Sequence, residues 1–247
     1  MPQFAHDTIV PDRSSNLPKK EQVARMFNSI APRYDLLNRT LSAGIDVGWR
    51  KKAIRLLAAN QPQMILDVAT GTGDLAITAH HLLHPKKIIG IDISTGMLEH
   101  GNKKIKELGL SQSIELVEGD SEAIQFPDGH FDAVMVAFGV RNFQHLDKGI
   151  AEIHRVLRPG GQLMVLEFSQ PKLPFIKQLY GFYMNVVTPG IGGILSNNRD
   201  AYQYLNDSVR KFPEGTAFIQ VLEQIGFKET TIKRLSLGIC SMYTGIK

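Results

Sequence analysis

Three apolar runs in this chain each lead to a carboxylate: Ile65-Leu66 to Asp67, Ile88–Ile91 to Asp92, and Ile114–Val117 to Asp120. After the first comes Gly71-Thr72-Gly73-Asp74-Leu75-Ala76. It matches G-x-G-x-x-G/A, the turn whose glycines let a ligand approach the backbone. Taken alone the pattern fits a dinucleotide, but charge argues against one. Asp67 and Asp74 flank the turn, and a pyrophosphate ~4 Å from a like charge is disfavoured by about 4 kcal/mol even at an effective dielectric of 20. A ligand carrying a sulfonium and an ammonium is favoured in the same place, which points to S-adenosylmethionine. Asp74 reads equally well as a first-turn acid complementing a helix dipole. Asp67, at a strand's carboxyl end, lies in the sheet's ligand crevice. Asp92, about 20 residues beyond the glycines, is placed to hold ribose hydroxyls. Asp120 is placed to accept a hydrogen bond from the exocyclic amine of adenine, with the Ser121 backbone beside the ring. Acids at three successive strand ends specify a nucleoside cofactor more narrowly than the glycines do.

The elements that must carry these acids are legible as short β-rich runs alternating with helical segments. Ile65–Val68, Ile88–Ile91, Ile114–Val117, Ala133–Phe138 and Leu163–Phe168 read as strands, so a parallel sheet covered on both faces is predicted. Leu146, Ile150, Ile153, Val156 and Leu157 repeat at the spacing of one buried helix face, stopped by Arg158-Pro159-Gly160-Gly161. Lys228–Arg234 and Ile239–Ile246 also read as strands. The few residues around Leu237-Gly238 are too short for a parallel crossover, so these two pair as an antiparallel hairpin. The fold class is therefore α/β and Rossmann-like, with a mostly parallel seven-stranded sheet and a C-terminal antiparallel hairpin. Combined with the strand-end acids, that reversal predicts a methyltransferase. Residues 21–60 read as a helical cover broken at Ala31-Pro32, and residues 171–212 as an insertion. Residues 1–20, rich in proline and polar side chains, read as disordered, which leaves 21–247 as a single domain.

The bulk numbers narrow the setting. A chain of 247 residues with 43% hydrophobic and 21% charged residues buries an ordinary core. Its net charge of +4 is spread over scattered lysines and arginines, which does not favour nucleic acid. The single cysteine, Cys240, forms no internal disulfide, which suits a reducing cytoplasm. The N-terminus lacks the apolar region of a secretory signal, and no stretch has the eighteen uninterrupted apolar residues of a membrane span. The sequence leaves a homodimer open.

Two longer segments resemble a known family. "YDLLNRTLSAGIDVGW" (Tyr34–Trp49) and "RVLRPGGQLMVLEFS" (Arg155–Ser169) are similar to the signatures of the ubiquinone/menaquinone biosynthesis C-methyltransferases. Between them lie "LDVATGTGDLA", "FPDGHFDAV" and "FGVRNF", and "AYQYLNDSVRKFP" follows. The resemblance runs from about Glu21 to the C-terminus. It departs from the family at Asp46, where histidine is usual, and at Arg158, where lysine is usual. It implies a class I methyltransferase fold, S-adenosylmethionine as methyl donor, and a prenylated hydroquinone as acceptor. Overall similarity leans to demethylmenaquinol, with a polyprenyl benzoquinol as the alternative. The resemblance also implies cofactor contacts at Thr72, Asp92 and the pair Asp120-Ser121. The expected cofactor set is Asp67, Gly71, Thr72, Gly73, Asp92, Asp120, Ser121 and Ala137, the last at the end of the fourth strand.

C-methylation of a hydroquinone needs a ring carbon aligned with the methyl group and a phenolic hydroxyl, of pKa near 10, that gives up its proton. "AFGVRNF" arrives at the sheet's carboxyl edge beside the presumed methyl group. Arg141 is expected to stabilise the phenolate or lower its pKa, with a role through a bound water supported by the resemblance, and Asn142 to bond the second quinol oxygen. Tyr34 reads as an active-site hydroxyl or as a buried structural tyrosine. No metal is required, and His80, His81 and His84 have neither an acidic companion nor a further ligand. Phe175, Leu179, Phe182, Tyr183 and Val186 recur at helical spacing before the Gly-rich "TPGIGGIL". That stripe packs on the sheet or serves as a lid that accommodates a polyprenyl tail, with peripheral contact through residues 171–195 at the inner face of a membrane. The rivals are an RNA or small-molecule methyltransferase, an NAD-linked oxidoreductase, and a non-catalytic scaffold in a quinone-synthesis complex. Amine-methylating enzymes often carry Asn/Asp-Pro-Pro-aromatic where this chain has Phe138-Gly139-Val140-Arg141.

Overall fold

The apolar runs condense into one seven-stranded sheet whose central strands are buried on both faces, while the edge strands Ile114–Glu118 and Lys228–Leu235 keep exposed positions. The computed structural model describes residues 4–182 and 199–247. Its strands are β1 (Met64–Val68), β2 (Lys87–Asp92), β3 (Ile114–Glu118), β4 (Phe131–Ala137), β5 (Leu157–Phe168), β6 (Lys228–Leu235) and β7 (Cys240–Ile246), in the order β3-β2-β1-β4-β5-β7-β6. The first five run parallel, and β7 lies antiparallel between β5 and β6. Strand order reverses at β1, between β2 and β4, which opens a crevice at the carboxyl ends of the strands.

Alternate strand residues feed opposite layers. Leu66, Val68, Val134, Val136, Leu163 and Val165 pack with α6 (Leu146–Val156) and with the helix Thr216–Ile225. Ile65, Met135, Met164 and Leu166 pack with α3 (Ile45–Ile54), α4 (Asp74–Leu83) and α5 (Thr95–Glu107). Leu146, Ile150, Ile153 and Val156 form the fully buried stripe of α6. The stop after that helix is real, but Arg158-Pro159-Gly160-Gly161 belongs to β5 rather than to a loop. The β4–β5 register jumps from Phe131↔Leu157 to Ala133↔Gln162, so these residues form an irregular start that an apolar count overlooks.

The N-terminal cover is α1 (Lys19–Ile30), a turn at Ala31–Arg33, α2 (Tyr34–Ser42) and α3. The predicted disorder of residues 1–20 is corrected over the described part, which starts at Phe4. Ala5–Thr8 form a 3-10 turn, and His6 is fully buried, its ring 5.8 Å edge-on from Phe212. Burial holds that imidazole neutral, with its pKa pushed down to about 3, so it packs as an aromatic. The Lys19 ammonium donates to the carbonyls of His6 (2.9 Å) and Arg141 (3.4 Å), tying the strap to the loop after β4. A polar composition conceals two anchors, Phe4 and His6. Among the described residues the remaining α-helices are α7 (Pro174–Phe182), α8 (Arg199–Lys211) and α9 (Thr216–Ile225).

One glycine sets how closely α5 lies against the turn after β1. A Cβ on Gly101 would fall 2.5 Å from a Leu116 methyl and 3.0 Å from the Thr72 carbonyl carbon. Alanine in a helix interior normally gains ~1 kcal/mol over glycine. Here overpacking outweighs that gain, so Gly101→Ala is expected to lose ~1–3 kcal/mol in urea unfolding. A variant as stable as the parent would disprove the close approach.

Candidate active site

The carboxyl ends of the strands open onto two cavities that share the walls Tyr34, Ala69, Gly71, Ala137 and Phe138. The larger, about 680 Å³, lies between α1 and the ends of β2 and β3; the smaller, about 390 Å³, lies against the glycine turn. Asp92, Asp120, Ser121 and Asn142 line the larger cavity, Asp67 and Thr72 the smaller, and Tyr34, Gly71 and Ala137 both. Gly73 and Arg141 line neither. Gly73, at φ +78°, is the N-cap of α4 and serves the turn's conformation.

The acids differ in what they have left to offer. The Asp92 Oδ2 atom accepts the Gly71 N–H and Oδ1 the Ser94 N–H, both at 2.8 Å, while burial raises the carboxyl's pKa. Asp67 is buried, and one oxygen accepts the Thr70 hydroxyl at 2.6 Å. Its other oxygen, Oδ1, has no partner. Burial pushes this carboxyl up to about 7; the Thr70 hydroxyl opposes the shift and the Asp92 charge adds to it. Asp120 accepts the Glu122 N–H at 2.9 Å and pairs with the Lys20 ammonium of α1 at 3.0 Å. Asp74, read from sequence as a second acid for the sulfonium or as a helix-dipole partner, takes the structural part. Lys104 binds it at 2.7 Å and also reaches Asp35 (2.6 Å) and the Thr72 hydroxyl (3.2 Å). The charge argument for a cationic ligand therefore rests on Asp67 and Asp92.

Around the loop after β4, the sequence reading missed two residues. Glu167, fully buried within the apolar run of β5, binds the Arg141 guanidinium at 2.8 Å. That nitrogen also donates to the Phe138 carbonyl, and the guanidinium carbon lies 5.4 Å from the centre of the Phe168 ring. Arg141 thus sits behind the loop that carries Asn142. The signal for Glu167 was present: a lone carboxylate in "LMVLEF" needs a cation. The other missed residue is Tyr204 of α8, whose buried hydroxyl donates to Asn142 Oδ1 at 3.1 Å. No sequence pattern links positions 142 and 204. Tyr34 stacks edge-on against Phe27 at 5.9 Å, and burial raises its phenol's pKa, so it is protonated at neutral pH. His80 and His81 lie in the last turn of α4, while His84 caps it in a left-handed conformation. Among the described residues no group of three His, Cys, Asp or Glu side chains is placed to hold a metal ion.

A sheet of this order with one reversed strand, carrying strand-end acids around a crevice, defines the class I S-adenosylmethionine-dependent methyltransferase fold. The chain belongs to the ubiE/COQ5 methyltransferase family, whose model matches residues 16–247. A demethylmenaquinone methyltransferase of Bacteroides fragilis is 47% identical over 234 residues, 95% of this chain and 96% of that one. A ubiquinone/menaquinone biosynthesis C-methyltransferase of Geobacter sp. strain M21 is 46% identical over 230 residues, 93% and 97% of the two chains. Among solved structures, human N-acetylserotonin methyltransferase in complex with S-adenosylmethionine aligns with a TM-score of 0.63 at 18% identity. That likeness, over 94% of this chain and 60% of the other, is one of fold. The residues present fit the family's cofactor: Asp67, with one unpartnered oxygen, lines the smaller cavity, and Asp92 lines the larger.

The raised pKa of Asp67 gives a pH dependence of known sign. Between its ordinary 3.8 and about 7 the folded chain holds a proton that the unfolded chain has lost. This group's contribution to stability therefore falls as pH rises through that window and stays low above it. Asp67→Asn removes the dependence. Without ligand, the melting temperature of the variant minus that of the parent is expected to climb from about pH 4 to pH 7 and then level off. A difference that stays flat from acid to neutral pH would contradict the assignment.

Proposed function

We propose that this chain methylates a ring carbon of a prenylated hydroquinone, with demethylmenaquinol as acceptor and S-adenosylmethionine as donor. The carrying observation is that Asn142 lines the same cavity as Asp92 and Asp120 while held as a one-sided hydrogen-bond donor. Its Oδ1 accepts from Tyr204, and its Nδ2 faces the Phe138 carbonyl at 3.4 Å, an oxygen that only accepts. The amide cannot turn over without setting two acceptors against each other, so what it offers the cavity is an N–H. That donor favours a phenolate over a phenol and lowers the pKa of the bound hydroxyl. Tyr34, protonated at neutral pH, offers a second O–H at the wall common to both cavities.

Bound S-adenosylmethionine supplies a methyl group made electrophilic by its positive sulfur. The chain's own residues align and shield. Asp92 and Asp120 hold the nucleoside, Asp67 takes the ammonium, and Tyr34 and Phe138 stand at the wall common to both cavities, where carbon must meet carbon. Alignment of this kind is worth roughly 7–11 kcal/mol. The identical direction of evidence comes from the relative named a demethylmenaquinone methyltransferase at 47% identity.

The test is transfer from labelled S-adenosylmethionine to a demethylnaphthoquinol and to a polyprenyl benzoquinol, with mass spectrometry of the product. Ring methylation of the naphthoquinol is expected; transfer to neither would overturn the reading. Asn142→Ala is expected to lower kcat by ~10²-fold, the effect of one oxyanion donor. Retained cofactor affinity in that variant would separate catalysis from a scaffolding role.

The prenyl tail implies contact with lipid, and the start of α7 supports it: Leu173 and Phe175 are 56% and 74% exposed. No helix among the described residues is long and apolar enough to cross a membrane. The rest of the expected stripe, the Leu179 and Phe182 side chains together with Tyr183, Val186 and the Gly-rich stretch, lies outside the described residues. Phe175→Asp is expected to reduce the fraction that floats with anionic liposomes. An unchanged flotation profile would sink this contact.

A further inference from the structure

The junction of the N-terminal strap with α1 holds a buried cation that the reading above leaves without a task. Lys19, the first residue of α1, is 4% exposed. The place is unfavourable twice over, since burial strips an ammonium of water and a helix N-terminus repels positive charge. Burial lowers its pKa to about 8; Asp7 and Glu122 oppose the shift and Arg141 adds to it. A straight apolar side chain would escape both penalties, so the reason for a lysine lies in what it binds. Its ammonium donates to the His6 carbonyl at 2.9 Å and to the Arg141 carbonyl at 3.4 Å. The second carbonyl belongs to the peptide that joins Arg141 to Asn142. That peptide is planar, so its oxygen and its N–H cannot turn independently. The Asn142 N–H donates to the Gly139 carbonyl at 2.9 Å, so the plane is held at both edges.

The ammonium is held in its turn through His6. That ring is fully buried and edge-on to Phe212, the residue that follows α8, and α8 carries the Tyr204 that binds the Asn142 amide. Neither ring nitrogen has a hydrogen-bond partner, so the ring is anchored by packing. The backbone and the side chain of Asn142 are thus tied by separate routes to one helix. We propose that Lys19 is a positioning residue for the acceptor, fixing through the Arg141–Asn142 peptide the donor that a bound quinol meets. The inference rests on the Asn142 reading above and adds the strap to the acceptor's half of the site. Lys19 itself lines neither cavity. His6 lies outside the family match, which begins at residue 16.

A double-mutant cycle on the full chain tests this, with methyl transfer to a demethylnaphthoquinol as the assay. Lys19→Met keeps the length of the side chain and removes the ammonium. It is expected to lower kcat about 10-fold, the lower end of the range for a hydrogen bond to a charged group. Calorimetric affinity for S-adenosylhomocysteine should match the parent's. In the Asn142→Ala background the same substitution is expected to lower kcat by less than about 2-fold, because the group it orients is gone. Equal losses in both backgrounds, or a loss in neither, would overturn the assignment. If Asn142→Ala alone leaves kcat intact, the Asn142 reading fails, and this proposal fails with it. Should Lys19→Met not fold, two His6 variants decide. His6→Ala is expected to lower kcat, and His6→Phe, which keeps a ring against Phe212, to restore most of it. Two variants with the same kcat would count against the strap's role and overturn the assignment.

Discussion

The Asp92 carboxylate accepts the Gly71 N–H on one oxygen and the Ser94 N–H on the other, both at 2.8 Å, and so joins the turn after β1 to the turn after β2. Ser94 in turn caps α5 through the Met97 N–H and donates to Asn28 of α1. Asn28 also accepts the Gly96 N–H at 2.9 Å, so the cover helix is fastened to the start of α5 by the same group of atoms. One buried carboxylate therefore sets the distance between the glycine turn, the turn after β2 and the cover helix α1. Its own burial raises its pKa, a cost that the two backbone donors reduce. Hydroxyl donors on a ligand would reduce it further.

The helices at the N-terminus supply counter-charges as well as cover. Four acids cluster at the carboxyl edge of the sheet or on the helix beside it, and leaving them all unpaired would repel anything but a strongly cationic ligand. Lys20 from α1 pairs with Asp120, and Arg50 from α3 stands near Asp74. Lys104 of α5 joins Asp74 to Asp35 of α2. What remains uncompensated is local, the Asp67 oxygen and the Asp92 site between the turns. The crevice thus selects for charge at particular atoms rather than presenting a diffuse negative field, which salt would screen.

Much of this was legible in the residues. The mostly parallel sheet and its reversed last strand followed from the alternation of strands with helices and from the short connection at Leu237-Gly238, because a parallel crossover needs many more residues. The strand-end acids were legible because the parallel topology of β1–β5 sends each of their carboxyl ends to one edge. What escaped was long-range pairing. Lys20, Lys104, Glu167 and Tyr204 owe their roles to partners 100, 30 or more, 26 and 62 positions away. Docking of the strap at His6 escaped for a related reason. A histidine reads as polar in a composition, yet burial makes it neutral and lets it pack against Phe212.

The Arg141–Glu167 pair shows why the loop after β4 carries a charge that lines neither cavity. A buried ion pair is often no more stabilising than well-packed apolar residues of the same size, because both charges lose their water. Stability alone is therefore a weak reason for Glu167 to interrupt an apolar strand. Position is a better one. The guanidinium donates to Glu167 on the strand and to the Phe138 carbonyl on the loop, so it fixes the carbonyl that in turn fixes the Asn142 amide. Tyr204 closes the arrangement from the far side, and Lys19 holds the Arg141 carbonyl from the strap. Elements distant in sequence thus orient one amide, whose Nδ2 keeps a hydrogen beyond the one that faces the Phe138 carbonyl. A freely turning amide would offer donor and acceptor alike and would discriminate poorly between phenol and phenolate. The buried charge is in this view the fixed point from which the direction of a single hydrogen bond is set.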